Sequence, residues 1–253
     1  MSDIITERSG AILHIQFNRP AQKNAMTSAM YTNMADILND ANKDDTIRVV
    51  LWSGAGDAFC AGTDAVDFLK NPPSPSAYPM GQLMDAFVAF EKPFVAAVQG
   101  AAIGGGTTML THCDFVYAGE SAKFQLSFIN LGLVPECGSS HSIPARVGHL
   151  RAAELYLLGE PFTAARAAEI GLVTRVVADA DLLATATKTA QKLAAKPHGA
   201  LLATRRLIKQ ASIGEIKAAM EIENQEFMQR VTSADAKEAL SAFLEKRPPK
   251  FAA

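Results

Sequence analysis

The stretch FVAAVQGAAIGGGTTMLTHCD, residues 94–114, decides how the rest of the chain is read. It opens on five apolar residues, Phe94 to Val98, whose length and branching suit a buried strand. Gly100 and the triplet Gly104-Gly105-Gly106 follow, and then apolar residues at helical spacing. Adjacent glycines ahead of a helix are costly in backbone entropy. They make sense where the chain approaches a ligand or another backbone too closely for a Cβ, or where peptide N–H groups must face an acceptor. Free N–H groups at a helix start suit a negative or developing negative oxygen. A tight strand–turn–helix packed under a sheet would use the same glycines. The stretch alone therefore establishes an α/β element and leaves its chemistry open.

On the N-terminal side, residues 3–18 read as two short strands turning at Ser9-Gly10, with Ile12, Leu13, Ile15 and Phe17 apolar. Thr27 can cap a helix over 28–42, where Met30, Met34, Ile37 and Leu38 keep helical spacing. IRVVLW, residues 47–52, is a second buried strand, and after a turn at Gly54 to Asp57 the run FCAGTD leads into a short helix, AVDFLK. The proline-rich segment 71–79, NPPSPSAYP, is expected as a surface loop or lid. A helix from Met80 to Phe90 stops at Lys92-Pro93.

On the C-terminal side, short strands are expected at 114–117 and 122–124, and helices at 149–158 and 164–169. The strand TRVV, 174–177, comes before a stretch that reads as helix throughout. Its pieces are 182–194, a break at Pro197-His198-Gly199, ALLATRRLIKQ, a long helix from Ile213 to Arg230, and DAKEALSAFLEK. Strands alternating with helices and then helices alone argue an α/β core over 1–195 and a helical region over 196–253.

The chain's 253 residues, 49% of them hydrophobic, suit one large α/β domain or a main domain with a smaller appendage. The net charge of −2, with Lys and Arg spread along the chain, gives no footprint for nucleic acid or an anionic membrane. Cys60, Cys113 and Cys137 have no pairing or metal-ligand rhythm, which points to a reducing compartment. The first residues lack the character of a signal or transit peptide, and no apolar run approaches membrane-spanning length. A cytoplasmic protein is expected, with neither metal nor separate cofactor.

Nucleotide motifs are missing: neither GxGxxG after a first strand nor GxxxxGK[ST] is present. The histidines form no close cluster with carboxylates, and there is no G-x-S-x-G elbow. What remains is a pair of Gly/Ala turns, at Cys60-Ala61-Gly62 and at Gly104 to Gly106, each after a buried apolar strand. Parallel strands bring such turns to one sheet edge, where two N–H groups can converge on a single carbonyl oxygen. Glu136, in a Pro-Glu-Cys-Gly turn between apolar segments, is a candidate base; a capping or salt-bridging glutamate would fit the same place.

Several ordered motifs together make a more specific signal. From FNRPAQKNAMT through GAGDAFCAGTD, KPFVAAVQGAAIGGGTTMLTHCD and LGLVPECGSS to AFLEKRPPKF, the chain resembles the enoyl-CoA hydratase/isomerase (crotonase) superfamily over nearly its full length. The resemblance implies a spiral of ββα units with a C-terminal helical region that trimerises, commonly as a dimer of trimers. It implies an acyl-CoA thioester as substrate, with coenzyme A part of that substrate. The oxyanion-hole N–H groups would fall on Ala61 and Gly105. Coenzyme A would lie near Lys23, Asn24 and Ala25, and near Ala61, Thr63 and Asp64. Phe243 and Lys246 match positions through which some members reach coenzyme A, often across a subunit boundary.

Hydratases of this superfamily use two glutamates to hold and activate a water. Matching their motifs puts Thr108 and Phe128 at those positions, and neither side chain can exchange the required proton. The segment LGLVPECGSS instead resembles the peroxisomal-type Δ3,Δ2-enoyl-CoA isomerases and their bacterial relatives, whose single base in the equivalent turn is here Glu136. The order Cys137-Gly138 departs from the commoner Gly-Cys. The resemblance implies that Glu136 removes a C2 proton from a 3-enoyl-CoA and returns one to C4. Leu126, Phe128 and Phe87 are candidates for an apolar acyl pocket, Leu126 and Phe87 equally for ordinary core. Hydration, another acyl-CoA reaction, or non-catalytic acyl-CoA binding are the competing readings.

Overall fold

The structure, a computed structural model, describes residues 2–74 and 78–251. Its strands are β1 (Ile4–Ser9), β2 (Ile12–Phe17), β3 (Val49–Gly54), β4 (Phe94–Val98), β5 (Ala101–Ile103), β6 (Phe115–Gly119), β7 (Lys123–Gln125), β8 (Phe162–Thr163) and β9 (Arg175–Val177). The α-helices are α1 (Ser28–Lys43), α2 (Ala65–Lys70), α3 (Pro79–Ala89), α4 (Gly105–Thr108), α5 (Ser139–Val147), α6 (His149–Leu158), α7 (Ala164–Glu169), α8 (Leu182–Ala194), α9 (His198–Arg230) and α10 (Ala234–Glu245). Six strands form one sheet in the order β1-β2-β3-β4-β6-β9, parallel except for the β1–β2 hairpin, and a second sheet runs β5-β7-β8.

The two sheets are linked by a repeat. β4 lies in the large sheet and β5 in the small one before α4; β6 and β7 do the same before α5. β3 begins a third unit, whose second strand is reduced to a bridge between Cys60 and Ala102. This is the crotonase-like α/β fold of ββα units with a C-terminal helical region. Each unit turns from the end of a large-sheet strand into the small sheet, so the glycine-rich turns after β3 and β4 come out beside one another.

Alternation along the central strands places the core. Val50 and Trp52 of β3, with Phe94, Ala96 and Val98 of β4, pack towards α1 and α3. Val49, Leu51, Val95 and Ala97 pack on the opposite side with Leu182, Ala186 and Ala190 of α8. Trp52 is fully buried, its ring 5.2 Å from Phe17, 4.7 Å from Phe59, 5.9 Å from Phe87 and 5.7 Å from Phe94. Phe87 thus belongs to the core and not to a substrate pocket.

Thr27 caps α1 as expected, accepting the N–H of Met30. Three features differ from the sequence reading. Two C-terminal helices were expected on either side of residue 211, but α9 runs unbroken for 33 residues. The break expected at Pro197 is present, with α8 ending at Ala194 and Pro197 as the N-cap of α9, and nothing crowds the interior Gly214. α5 went unseen because Pro144 lies inside it. The strand β5, only three residues long, has no counterpart in the sequence reading. Of the expected lid over 71–79, residues 75–77 lie outside the described residues. Among the described residues no helix is long and apolar enough to cross a membrane.

Trp52→Ala is expected to cost about 3–5 kcal/mol in denaturant unfolding, because the aromatic cluster closes around a cavity. Trp52→Phe should cost less than half as much, since the indole N–H has no partner to lose.

Candidate active site

The site begins with two segments that leave N–H groups unpaired. Residues 60–64 cross between two neighbours. On one side, Ala61 donates to the Lys23 carbonyl at 2.9 Å, Met26 donates to Gly62 at 2.8 Å, and Asp64 donates to Met26 at 2.8 Å. On the other, Cys60 donates to Ala101 at 2.9 Å and Ile103 donates to Cys60 at 2.9 Å. Thr63 is the bridged residue opposite Met26. In a parallel bridge that residue turns its own N–H away from the partner, and Thr63 N–H has no acceptor among the described residues. Gly105 is the first residue of α4, where no intrahelical acceptor exists. Its N–H is likewise unpaired among the described residues. Thr63 and Gly105 line the same cavity.

This differs from expectation at one position. The N–H of Ala61 is held inside the protein by Lys23, whereas that of Thr63 is free among the described residues. The glycines are tied to close approaches. A Cβ on Gly106 would stand 2.3 Å from the Cys60 carbonyl oxygen, and one on Gly62 2.8 Å from that of Ile103.

Glu136 arrives from the turn after Leu133. Cys137 and Gly138 both adopt left-handed backbone, with φ of 67° at each, which reverses the chain and starts α5. For Cys137 this conformation is strained by roughly 1–2 kcal/mol. His112 supports it by donating from Nε2 to the Cys137 carbonyl at 2.9 Å, while its ring stacks on Phe87 at 5.3 Å. Burial pushes the His112 pKa down to about 3, so the imidazole is neutral.

The Glu136 carboxyl is 3% exposed. A Cβ on Gly105 would lie 2.9 Å from its Oε1 and 3.6 Å from the Tyr31 hydroxyl. Thr108 Oγ1 donates to the same oxygen at a long 3.4 Å. Burial, and then the carboxylate of Glu223, push the Glu136 pKa up to about 8, against a small opposing pull from Thr108. Such a carboxyl exchanges a proton near neutral pH, which suits an acid–base group.

A cavity of about 360 Å³ opens in front of these groups. Its apolar walls include Phe68, Met80, Phe128, Leu131, Leu133 and Ile103, and α9 and α10 add Phe227, Leu240 and Phe243. Glu136 is the only acidic residue lining it among the described residues. Of the residues read from sequence, Ala61, Thr63, Gly105, Phe128, Glu136 and Phe243 meet here. Lys23, Ala25 and Lys246 lie outside the lining, and Leu126 is fully buried in the core. Asp64 caps α2 through the N–H groups of Val66 and Asp67 and pairs with Arg19 at 3.0 Å, so its side chain is structural.

Asn24 is also engaged elsewhere. Fully buried with φ of 57°, it accepts from Arg19 N–H at 2.8 Å and donates to the carbonyls of Ala55 at 2.9 Å and Ala58 at 2.7 Å. Its side chain ties down the turn before residue 60 and has no hydrogen-bonding group left for a ligand. Sequence reasoning missed Tyr31, which hydrogen bonds Thr63 Oγ1 at 2.8 Å, and the C-terminal wall with Glu223. Met220, Glu223 and Phe227 form the one buried stripe at this end of α9, a carboxylate on an apolar face. That spacing was the readable signal.

The family profile described as Enoyl-CoA hydratase/isomerase matches residues 7–253. The chain is 35% identical to the 1,2-epoxyphenylacetyl-CoA isomerase of Escherichia coli (strain K12), covering 99% of this chain and 98% of that one. It is 36% identical to Enoyl-CoA hydratase EchA19 of Mycobacterium tuberculosis (strain ATCC 25618 / H37Rv), covering 98% and 96% respectively. Among solved structures, Pseudomonas aeruginosa OdaA superposes with a TM-score of 0.93 at 42% identity, over 96% of this chain and 99% of that one.

Asn24→Ala is expected to lower unfolding stability by about 2–4 kcal/mol, from three lost hydrogen bonds and a left-handed backbone that alanine disfavours. In protein that remains folded, coenzyme A affinity measured by calorimetry should change less than threefold, about 0.65 kcal/mol.

Proposed function

The chain belongs to the enoyl-CoA hydratase/isomerase family and acts on an enoyl-CoA thioester, and on that premise we propose that it moves a carbon–carbon double bond from the 3-position to the trans-2-position. The observation that carries this reading is Glu136, the single carboxyl among the described residues that line the cavity, beside Thr108 and Phe128, where a hydratase would place its glutamates. Hydration needs a water held and deprotonated while another proton is delivered. Isomerisation needs one group that takes a proton and returns it.

In this reading the thioester carbonyl accepts from the N–H groups of Thr63 and Gly105. Negative charge develops on that oxygen as the Glu136 carboxylate removes a C2 proton. The dienolate is held by the two fixed donors, each worth roughly 3–4 kcal/mol in the transition state. Glu136, now a carboxylic acid, delivers the proton to C4, and the 2-enoyl product leaves with no atom gained or lost. The apolar walls keep water from the dienolate and raise the basicity of the carboxylate. Coenzyme A enters along the 61–64 turn, and Phe243 of α10 borders the acyl chain from within the same chain.

The same family reading carries assembly as a trimer or a dimer of trimers. Exposed Leu207, Ile208 and Ile222 on α9, with Leu150 and Leu157 on α6, support it as apolar surface available for burial. Three buried free thiols support a reducing compartment such as the cytoplasm.

With 3-enoyl-CoA and 2-enoyl-CoA offered separately, isomerisation should exceed hydration by at least about 100-fold. Glu136→Gln should lower isomerisation by about 10²–10⁴-fold with thioester binding kept. Persistence of isomerase activity in that variant, or hydration as the main reaction, would overturn the reading. Because the carboxylate is the active form, kcat/KM should rise with pH through about 8.

Stability carries the opposite sign. The folded pKa stands above the ordinary value of 4.5, so the neutral acid favours folding at low pH. That advantage is lost as pH rises from 4.5 to about 8. The Tm gain of Glu136→Gln over wild type should therefore be larger at pH 9 than at pH 5, measured by calorimetry.

A further inference from the structure

Glu223 lies on α9, eighty-seven residues beyond Glu136, and is 5% exposed. Its carboxylate accepts from the Gly138 N–H at 2.6 Å through Oε2 and from the Ser140 N–H at 2.7 Å through Oε1. Both donors belong to the left-handed turn that carries Glu136 into the site and to the first turn of α5. α9 is seated directly on this turn: a Cβ at Gly138 would come within 2.7 Å of Ile216 Cγ2 and 3.2 Å of the Ile216 carbonyl oxygen. A buried carboxylate in this position fills an apolar stripe between Met220 and Phe227. It is held there by two short, charge-assisted bonds from backbone N–H groups, to which the Ser140 side chain adds.

We propose that Glu223 is a positioning residue for Glu136: by clamping the N–H groups of Gly138 and Ser140 it fixes the reversed turn, so that the C-terminal helix α9 holds the carboxyl group against Gly105. This deepens the isomerase reading and rests on Glu136 as its base. Cys137, strained in the left-handed region, does not hold the turn by its own preference. His112 supports one side through the Cys137 carbonyl and Glu223 the other.

The clamp has an electrostatic consequence. The titratable groups around the pair are Tyr31 on α1, Tyr78 ahead of α3, Tyr156 on α6, Cys60 on the 60–64 turn and Cys137 in the turn itself. Burial raises the pKa of every one of these phenols and thiols, so they stay neutral at working pH. Burial raises the Glu223 pKa too, but its hydrogen bonds from Ser140 and Gly138 pull towards the carboxylate. Among the described residues Glu136 has only the long Thr108 contact. Of the two, Glu136 is therefore the one that takes the proton, and the Glu223 charge helps hold it there.

Glu223→Gln keeps the shape, loses the charge and leaves an amide N–H₂ facing one of the two backbone donors. Carboxyl-carbon NMR should follow Glu136, assigned by the loss of its signal in Glu136→Gln. Its midpoint is expected to fall by about one pH unit in Glu223→Gln. With 3-enoyl-CoA, kcat should fall about tenfold while KM changes less than twofold, and the acid limb of kcat/KM should move down with the NMR midpoint. An unmoved Glu136 midpoint, or unchanged kcat, overturns the proposal.

The titration needs no turnover. A shifted midpoint in a protein without isomerase activity would therefore sink the isomerase reading while leaving the Glu223–Glu136 coupling in place. If Glu223→Gln does not fold, Ser140→Pro removes both the N–H and the side-chain hydroxyl that Ser140 offers Glu223, at the second residue of α5, where the first helical turn tolerates proline. It should lower kcat severalfold without changing KM, and an unchanged kcat there counts equally against the clamp.

Discussion

One close approach governs the site: an oxygen of the Glu136 carboxyl stands 2.9 Å from where any side chain at residue 105 would begin. In the proposed reaction a base must reach a C2 proton while the adjacent carbonyl oxygen sits on the Gly105 N–H. Base and donor therefore have to be separated by little more than the reacting atoms themselves. The absence of a Cβ at residue 105 makes that separation possible. Its neighbour answers a different need, because a Cβ on Gly106 would strike the Cys60 carbonyl and push the two turns apart. The glycines that looked like a generic anion cradle are thus two steric vacancies, one for the base and one for the facing backbone.

The same approach explains why the carboxyl is buried. Placing it beside an unpaired N–H at the head of an apolar cavity removes it from water and raises its pKa to about 8. Folding stability above that pH is lowered, and the gain is a carboxylate basic enough for the proton abstraction proposed for it. Thr108 is consistent with this balance. A hydroxyl at 3.4 Å does little to stabilise the carboxylate, whereas a second carboxyl at that position would compete for the same proton.

The fold was legible because it is written in short, strongly patterned pieces. Val49 to Trp52 and Phe94 to Val98 alternate between two cores, and their apolar character on both faces marked the centre of a parallel sheet. The position of Glu136 was legible because a carboxylate between apolar segments needs a reason. What was not legible depended on direction. Ala61 and Thr63 lie two residues apart on one turn, and only the bridge to Met26 shows which N–H is committed and which is free. Asn24 is expected near coenzyme A, whereas the polar atoms of its side chain are all taken by Arg19, Ala55 and Ala58. α5 was hidden by Pro144, and α9 was divided at residue 211, where local propensity is weak and tertiary packing decides.

The weight carried by α9 follows from where the chain leaves its strain. The turn that delivers Glu136 places a non-glycine residue, Cys137, at φ of 67°, and the following Gly138 has no side chain with which to cap α5. Such a turn does not define its own conformation, so two distant groups define it. His112 holds the Cys137 carbonyl from the core, and Glu223 holds the Gly138 and Ser140 N–H groups from the C-terminal region. The same helix that supplies Glu223 supplies Phe227 to the cavity wall, one helical turn further on. Docking of α9 thus walls the cavity and fixes the turn that carries Glu136 in a single packing event. A site divided in this way is incomplete until α9 has folded onto the α/β core.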